Sequence, residues 1–333
     1  MKAVHLESTG PLGAASLALG TAADPKPGPG EAAVRLTACG VCRTDLHILE
    51  GDIAAPSLPL ILGHQAVGVV ESLGPGCRRL KGGDRVGIPW LWSACGACPR
   101  CRGGRENLCD EARFTGFHVQ GGFAERMLVR EDFAHPLPEG LSDAQAAPLL
   151  CAGAVGWRAL RLAGVPDGPL GLFGFGSSAH LVLQLARARG FEVCAFSRGE
   201  ARRALARKLG AAWAGAPGEK PPAALGAGIV FAPAGELVLP ALAALAKGGR
   251  LVLAGATMTP VPRLTYDLIY HERALMTVAN VTREDVRETL AAAARGEVVA
   301  EVTTFPLEAA GRALALIKEG GLSGSAVLTV KGR

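Results

Sequence analysis

Residues 168–190, GPLGLFGFGSSAHLVLQLARARG, give the clearest indication of the fold. An apolar run, PLGLF, ends in glycines and leads directly into an amphipathic run, SSAHLVLQLARARG. The spacing G-x-G-x-x-A also occurs in ordinary glycine-rich turns, but here a strand precedes it and a helix and a second strand follow. Such a turn lets backbone approach a pyrophosphate while the helix N-terminus faces the phosphates. We therefore expect a dinucleotide site formed by Gly174, Gly176, Ser177, Ser178 and Ala179.

The residues after the next strand, FEVCAF, bear on which dinucleotide is bound. A site specific for NAD places Asp or Glu here, to bind the ribose 2′-hydroxyl, whereas this chain has Ser197 and Arg198. A hydroxyl and a guanidinium suit a 2′-phosphate, although Arg198 could instead be simply solvated. We expect NADP(H) to be favoured over NAD(H), with Ser197 and Arg198 as cofactor contacts.

The rest of the chain divides into segments that differ in their pattern of strands and helices. Strands alternate with helices across residues 152–282, which predicts a Rossmann-type, doubly wound parallel sheet and an α/β fold. Residues 1–151 read as short strands broken by glycine and proline, which is typical of a β-rich, barrel-like domain. Residues 283–333 do not continue the alternation, and we expect them to return to the first domain.

Length, charge and cysteine content exclude several classes of protein. A chain of 333 residues is long enough for two domains, and its net charge of +5 is dispersed, so nucleic acid is not an expected partner. No apolar run approaches the ~18 residues of a membrane span, so no membrane association is expected. Nine cysteines, an odd number, suit metal binding in a reducing compartment, and we expect a cytoplasmic protein.

Four of these cysteines are crowded into one glycine- and arginine-rich loop, within about residues 93–110. Four thiolates at spacing C-x2-C-x2-C-x7-C can surround one Zn²⁺ tetrahedrally and leave no open position, which describes a structural site. The alternative, four unpaired small hydrophobic side chains, leaves the loop with little to hold it. The predicted structural zinc ligands are Cys95, Cys98, Cys101 and Cys109.

A second cysteine motif, CGVCRTDLH at residues 39–47, is open to three interpretations. It could be a redox dithiol, two corners of a structural zinc site, or one ligand of a catalytic metal with its supporting residues.

The motifs CGVCRTDLH, LGHQAVGVVESLGPG, the four-cysteine loop, APLLCAGAVGWRAL and GFGSSAH occur in an order that resembles the medium-chain, zinc-dependent alcohol dehydrogenase family over nearly the full length. The resemblance implies a GroES-like catalytic domain and a second, catalytic zinc. By the family motifs its ligands would be Cys42, His64 and Cys151, whereas Cys39 matches no ligand position. Thr44 would hydrogen-bond the substrate oxygen, His47 would pass the proton towards solvent, and Asp45 would orient His64. Arg43 is similar to a residue that contacts the pyrophosphate.

Each of these roles has a plainer alternative. His47 could be a surface histidine, Asp45 could merely cap a helix beginning at Leu46, and Cys151, taken alone, could be core packing. The chain also departs from the family in one place, because Gln65 stands where the motif usually has Glu. The function of that carboxylate beside the zinc is therefore in doubt.

Two side chains bear on the substrate. Trp90 matches a position that lines the substrate pocket in the family, and a large indole there would favour primary alcohols and aldehydes over bulky secondary ones. Ile53 lies where some relatives carry a further aromatic side chain, which would leave room for a longer substrate. Either Trp90 or the nearby Trp92 could instead pack at an interface.

The sequence thus predicts an alcohol dehydrogenase or aldehyde reductase that transfers hydride between NAD(P)(H) and a primary alcohol or aldehyde held at the catalytic zinc. The enzyme alternatives are a polyol or sugar dehydrogenase, or a quinone reductase, although zinc-free quinone reductases lack both cysteine sets. The alternative from another class is a zinc- and dinucleotide-binding redox sensor. Besides a small-molecule substrate, the family suggests a homodimer or homotetramer.

Overall fold

A computed structural model describes residues 1–13, 17–164 and 167–330. The chain forms two compact units. The first comprises residues 1–151, 280–294 and 300–333, and the second comprises residues 152–279 and 295–299. The short segment 295–299, which the sequence places with the first unit, thus belongs to the second. Each unit has its own buried apolar core.

The strands are distributed over both units. They are β1 (Lys2–Leu6), β2 (Leu17–Thr21), β3 (Glu31–Val41), β4 (Leu60–Ile61), β5 (Ala66–Leu73), β6 (Arg85–Ile88), β7 (Leu91–Ser93), β8 (Arg113–Phe114), β9 (Arg126–Arg130), β10 (His135–Pro136), β11 (Leu170–Phe173), β12 (Val193–Phe196), β13 (Trp213–Gly215), β14 (Leu225–Val230), β15 (Leu245–Leu253), β16 (Ala274–Thr277), β17 (Val302–Pro306) and β18 (Ser325–Thr329).

Helices connect many of these strands. The α-helices are α1 (Arg43–Glu50), α2 (Pro99–Arg102), α3 (Asp143–Pro148), α4 (Ala154–Ala163), α5 (Ser177–Arg187), α6 (Glu200–Lys208), α7 (Val238–Ala243), α8 (Arg283–Ala294) and α9 (Ala310–Glu319). A π-helical turn (Leu149–Gly153) carries the chain from α3 to α4. Within the described ranges, no helix is both long and apolar enough to cross a membrane.

The first unit is rich in β-structure. Its largest sheet has the order β10-β6-β5-β3-β18-β17, with β9 also paired to β3, and two smaller sheets have the orders β2-β1-β4 and β7-β8. Strand β18 from the end of the chain pairs antiparallel with β3, so the C-terminal segment completes this sheet. The central strand β3 ends at Val41, which delivers the next residue, Cys42, to the start of α1.

The second unit is a six-stranded sheet of order β13-β12-β11-β14-β15-β16 in which every pair is parallel. Strands β11 and β12 are buried at every position, and their sequences are nearly continuous apolar runs because a parallel strand is covered on both faces. The order reverses at β11, the strand that leads into the glycine-rich turn. The predicted α/β fold with a doubly wound parallel sheet is therefore confirmed.

Candidate active site

Three side chains from separate parts of the first unit converge: Cys42, His64 and Cys151. Cys42 lies between β3 and α1, His64 lies in the loop before β5, and Cys151 lies in the π-helical turn. One ligand atom from each lies within 4.8 Å of the others, and Cys42 Sγ is 3.2 Å from His64 Nε2. The structure thus brings together the three residues that the family motifs single out.

Cys42 is held by the start of helix α1. It is the N-cap residue, and its sulfur accepts a hydrogen bond from the Thr44 backbone N–H at 3.3 Å. Asp45 completes a capping box, because its Oδ2 accepts from the Cys42 backbone N–H at 2.9 Å. The helix therefore begins at Arg43 rather than at Leu46, and Asp45 does cap it.

The same carboxylate also contacts the histidine. Asp45 Oδ1 accepts from the Gly63 backbone N–H at 3.1 Å and lies 3.1 Å from His64 Nδ1. Its negative charge stabilises a positive charge on the His64 ring, so the two side chains form a buried ion pair when the histidine is protonated. Asp45 thereby joins the cap of α1 to the loop that carries His64, and the two interpretations of Asp45 describe one arrangement.

Gly63 allows the loop to place His64. Its φ of +96° lies in the left-handed region, and a Cβ there would come within 2.5 Å of the Phe123 ring and 2.9 Å of Cys39 Sγ. His64 itself is fully buried, and its ring meets that of Trp90 edge-on at a centroid distance of 4.8 Å.

The charges of the cluster are unevenly distributed. A hydrogen bond from Cys151, helped by the positive charge of His64, holds the pKa of Cys42 well below its ordinary value despite burial. The same hydrogen bond, together with burial, raises the pKa of Cys151. Burial opposes a charge on His64, but Asp45 and Cys42 outweigh it and raise its pKa. A thiolate, the form that binds zinc, is thus favoured at Cys42.

The donor set fits a catalytic zinc. Zinc takes bonds of about 2.3 Å to sulfur and about 2.0 Å to nitrogen, which puts tetrahedral ligand atoms roughly 3.6 Å apart. The Cys42–His64 distance of 3.2 Å is close to this value. His64 turns its Nε2 to the cluster and its Nδ1 to a carboxylate, the usual arrangement of a metal-binding histidine. Three protein ligands leave a fourth position for a substrate.

The four-cysteine loop fits a structural zinc. Its four sulfur atoms lie within 4.8 Å of one another, and Cys95 Sγ is 3.9 Å from Cys101 Sγ, close to the roughly 3.8 Å that four Zn–S bonds require. Hydrogen bonds from the backbone N–H groups of Cys98 and then Ala97 lower the pKa of Cys95 to about 7. The loop backbone therefore favours a thiolate at Cys95, whereas burial raises the pKa of Cys101 to about 12.

A buried glutamate anchors this loop. Glu106 Oε1 accepts from the Arg283 backbone N–H at 3.0 Å, at the start of α8, and lies 3.1 Å from Arg283 Nε. Two clefts of about 570 and 520 Å³ flank the loop. The arginines lining the second cleft are paired with carboxylates, as Arg79 with Asp132 and Arg287 with Glu284. The charges there are balanced, which does not favour an anion site.

Helix α1 also carries the two predicted proton-handling residues. Thr44 is half-buried beside Cys42, and His47 is buried one turn further along. Residues three apart on a helix are neighbours on one face, with Cβ atoms about 5–6 Å apart. His47 Nδ1 lies 2.7 Å from Asp52 Oδ2. Arg43 is exposed and donates from Nη2 to the Ile317 carbonyl at 3.2 Å, so its side chain is tied to the end of α9.

Two residues of the motifs turn out to be core residues. Cys39 is fully buried, and burial, with the nearby Asp45 charge, raises its pKa, which makes it an unreactive thiol. Gln65 is also buried, and its Nε2 has no hydrogen-bond partner among the described residues. Its Oε1 lies where a Cβ on Gly40 would come within 2.7 Å, so the two residues are closely packed.

Aromatic side chains surround Trp90. Phe114 stacks on it at a centroid distance of 5.1 Å and Phe117 at 5.9 Å, and Phe117 and Ile53 both pack against the core of the first unit. Trp92 instead contacts Arg113, whose Cζ atom lies 5.4 Å from the centroid of the Trp92 ring. The sequence analysis missed Phe114, Phe117 and Asp52. Only the clustering of aromatics in the segment RFTGFH could have suggested the first two.

In the second unit, the glycine-rich turn connects β11 to α5. Gly174 has a φ of +88°, and a Cβ there would lie 2.9 Å from Ala232. Gly176 is the N-cap of α5 and faces open space, because no atom lies within 4 Å of a Cβ built on it. Ser177 and Ser178 begin the helix, and Ala179 is fully buried.

Ser197 and Arg198 directly follow the end of β12. Ser197 is buried and its N–H donates to the Gly215 carbonyl at 2.9 Å, whereas Arg198 is exposed. Arg203 donates to the carbonyls of Ser197 at 2.7 Å and Arg198 at 3.1 Å. A second guanidinium, which the sequence analysis did not include, therefore shapes this loop.

Comparison with known proteins gives consistent matches. Residues 28–139 match the alcohol dehydrogenase GroES-like domain, and residues 179–295 match the zinc-binding dehydrogenase domain. The probable alcohol dehydrogenase AdhA of Mycobacterium tuberculosis is 44% identical over 99% of this chain and 97% of its own length.

Solved structures agree with these matches. The cinnamyl alcohol dehydrogenase of Sorghum bicolor is 27% identical with a TM-score of 0.91, covering 98% of this chain and 97% of that one. A thermostable alcohol dehydrogenase of Pyrobaculum aerophilum, with cobalt and zinc bound, is 26% identical with a TM-score of 0.91, covering 99% of both chains.

Proposed function

Because the chain belongs to the medium-chain, zinc-dependent alcohol dehydrogenase family, and is an alcohol dehydrogenase, we propose that it interconverts primary alcohols and aldehydes. It uses zinc and a nicotinamide cofactor, and we propose two zinc ions per chain and a preference for NADP(H). The observation that carries the proposal is the convergence of Cys42, His64 and Cys151 within 4.8 Å. When bound, zinc polarises the substrate oxygen and the nicotinamide exchanges the hydride.

The protein's own residues hold and orient this metal. Cys42 and Cys151 supply sulfur and His64 supplies nitrogen, while Asp45 fixes both the start of α1 and the imidazole of His64. Cys95, Cys98, Cys101 and Cys109 hold the second zinc, which stabilises the loop and takes no part in the reaction.

Two residues of α1 handle the proton that an alcohol must lose. The Thr44 side chain hydrogen-bonds Cys42, so its hydroxyl is close to where a substrate oxygen would bind the metal, and His47 lies on the same helix face one turn away. A general base at such a position contributes about 10²–10⁴-fold to a reaction rate. His47 is therefore the residue that we propose takes up this proton.

The aromatic side chains around Trp90 support a preference for primary alcohols and aldehydes as substrates. Trp90 touches His64 edge-on and is itself fixed by Phe114 and Phe117, so it cannot move aside without disturbing two stacked rings. A fixed indole beside a metal ligand narrows the space for a branched substrate. Ile53 has a smaller side chain than the aromatic residues of some relatives, which leaves room for a longer substrate.

The cofactor preference is argued from Ser197 and Arg198. The exposed guanidinium of Arg198, with no carboxylate at the end of β12, suits a 2′-phosphate. Arg198→Asp is expected to raise the KM for NADPH by at least about tenfold, since a hydrogen bond to a charged group contributes roughly 1.5–3 kcal/mol. The KM for NADH serves as the control and should change little. Equal changes for both cofactors would contradict the assignment.

One assay tests the substrate proposal. The zinc-loaded enzyme is given ethanal, hexanal, benzaldehyde and a bulky ketone, each with NADPH and with NADH. We expect kcat/KM for the aldehydes to exceed that for the ketone by at least about tenfold, because the discrimination of a few carbon atoms is typically 1–3 kcal/mol. A Trp90→Ala variant should narrow this gap. Equal rates for all substrates would overturn the argument from Trp90.

The homo-oligomer, dimer or tetramer, is supported by the edge of the parallel sheet. β16 is the terminal strand, its Leu275 is 38% exposed, and the preceding segment exposes Tyr266 and Tyr270. An uncovered edge strand can pair with a second copy of itself. Light scattering of wild type and Leu275→Asp tests this. The variant should dissociate, so that its measured molecular mass falls below that of the wild-type oligomer. As the compartment we propose the cytoplasm, since all nine cysteines are free thiols.

A further inference from the structure

The first of the two clefts beside the four-cysteine loop differs from the second in its charges. It has a volume of about 570 Å³ and lies within the first unit, bordered by the loop, β8, the end of β9 and the start of α8. The guanidinium-bearing residues Arg113, Arg130 and Arg283 line it, together with the carboxylate-bearing residues Glu106 and Asp132. Positively charged side chains therefore outnumber negatively charged ones at this cleft.

Both carboxylates of the cleft already have partners. Glu106 Oε1 lies 3.1 Å from Arg283 Nε, and Asp132 Oδ1 lies 3.1 Å from Nη1 of Arg79, an arginine of the second cleft. Arg113 donates to the His118 carbonyl at 3.1 Å and Arg130 to the Pro29 carbonyl at 3.2 Å. Neither of these two arginines is paired with a carboxylate in the part of the chain that the structure describes. Two positive charges at the cleft are therefore not neutralised by the protein.

Aromatic rings hold two of the guanidinium groups in place. The Cζ atom of Arg113 lies 5.4 Å from the centroid of the Trp92 ring, and that of Arg283 lies 4.9 Å from the centroid of Phe133. Both distances are within the range of a cation–π contact, and both rings are buried. A guanidinium held against a fixed ring has less conformational freedom to lose when it binds a ligand. The recorded contact of Arg113 with His118 uses one of its five N–H groups.

The charge of the structural zinc site does not account for these arginines. A Zn²⁺ ion with four thiolate ligands has a net charge of −2. Arg102 and Arg105 of the four-cysteine loop are exposed, and neither has a carboxylate partner within the described ranges, so the loop itself carries two positive charges that offset the metal site. The unpaired arginines of the cleft come in addition to these.

We propose that this cleft is a binding site for a small oxyanion, a molecule that presents a carboxylate or phosphate group to Arg113 and Arg130. The planar fork of a guanidinium matches two oxygen atoms of either group, and the volume suits a ligand of metabolite size. The site is separate from the catalytic cluster, since none of Cys42, His64 and Cys151 lines the cleft. An anion bound there connects β8 to the end of β9 and should stabilise the folded first unit.

Calorimetric titration of the zinc-loaded protein tests the proposal. The probes are inorganic phosphate and malonate, with chloride at equal ionic strength as the control for screening. Saturating NADPH is present, so that the phosphate positions at the glycine-rich turn are occupied. We expect phosphate, malonate or both to bind at one site per chain and to raise Tm, and the stronger of the two identifies the chemical group. The absence of binding by both, or an equal effect of chloride, would overturn the inference.

Variants locate the bound anion. Arg113→Gln and Arg130→Gln should each weaken its affinity at least about tenfold, because each removes a hydrogen bond between charged groups. Arg113→Lys keeps the charge but not the planar fork and should recover only part of the loss. Arg287→Gln, the matched control, removes an arginine of the second cleft from the helix that carries Arg283, and it should stay within about twofold of wild type.

Two measurements keep the test independent of folding and of catalysis. Zinc content and Tm without added anion show whether each variant retains the native loop. Arg130 bonds the Pro29 carbonyl rather than a group of the loop, so Arg130→Gln decides the matter if Arg113→Gln loses zinc. Turnover is not measured, so failure of the proposed function leaves this result unaffected. Wild-type anion affinity in Arg130→Gln, or an equal loss in Arg287→Gln, would show that the anion does not bind in this cleft.

Discussion

Asp45 shows how one residue can serve folding and function together. Its two oxygens meet the backbone N–H groups of Cys42 and Gly63 and the ring of His64. Burial raises the pKa of this carboxyl, and the charge of His64 opposes that rise. Because the same side chain fixes the helix start and the histidine, a change at Asp45 cannot affect one without the other.

A pair of cysteines tests the assignment of the metal ligand. Cys39→Ala is expected to keep both zinc ions and turnover, because Cys39 is a buried core thiol that lies apart from the ligand cluster. Cys42→Ala should lose one zinc and essentially all turnover. Metal analysis and a standard assay on both variants check this. Zinc loss from Cys39→Ala would mean that the first cysteine also binds metal.

A buried histidine makes stability depend on pH. Burial, followed by the charges of Arg283, Arg79 and Arg287, lowers the pKa of His135 to about 4, and Glu106 opposes this only in part. The folded state therefore favours neutral His135. Its contribution to stability is complete above pH ~6.5, the ordinary pKa of histidine, and is lost as the pH falls towards 4.

His135→Phe removes this dependence. Between pH 7.5 and 5.0 the free energy of unfolding of wild type should fall by roughly 2 kcal/mol more than that of the variant. Urea unfolding of both proteins at the two pH values measures the difference. If both lose the same stability, another group is responsible for acid sensitivity.

At the scale of elements, local patterns were predictable and long-range contacts were not. The apolar run ending in Gly174 and Gly176 predicts β11, the turn and α5 because each feature is encoded by neighbouring residues. The stacking of Phe114 on Trp90 and the contact of Asp52 with His47 depend on how loops return to a helix or strand. β17, of only five residues, has no distinctive pattern and was not predicted.

The four-cysteine loop should matter for stability rather than for chemistry. It has short elements only, a four-residue helix and brief turns, and it is attached to α8 through Glu106 and Arg283. Cys98→Ser should lose one zinc and lower Tm by roughly 5–10 °C, equivalent to a few kcal/mol in a chain of this size. Turnover per remaining catalytic zinc should be nearly unchanged.

Cys77→Ser is the matched control for this loop. Cys77 lies outside both metal clusters, and its Sγ donates to the Glu31 carbonyl at 3.2 Å. The control should keep both zinc ions and a wild-type Tm within a few degrees. Loss of turnover from Cys98→Ser at unchanged Tm and zinc content would contradict the division between a structural and a catalytic zinc.

At the scale of the whole molecule, the two candidate zinc sites lie entirely within the first unit, and the glycine-rich turn lies in the second. The sequence predicts both sets of cysteines from local spacing, but Cys151 carries no signal of its own. Cys151 lies 87 residues after His64 in the sequence, so local spacing does not relate the two residues. Only the family resemblance indicated Cys151 as a ligand. Its role as a ligand stays a prediction.

The most direct test of the account is therefore the zinc content of Cys151→Ser, measured by mass spectrometry of the metal alongside turnover. Wild type should hold two zinc ions per chain, and Cys151→Ser should hold one, with Tm close to wild type and turnover reduced at least about 100-fold, because the remaining zinc is the structural one. A Cys151→Ser variant that keeps two zinc ions and wild-type turnover would contradict the assignment of Cys42, His64 and Cys151 as the catalytic zinc site.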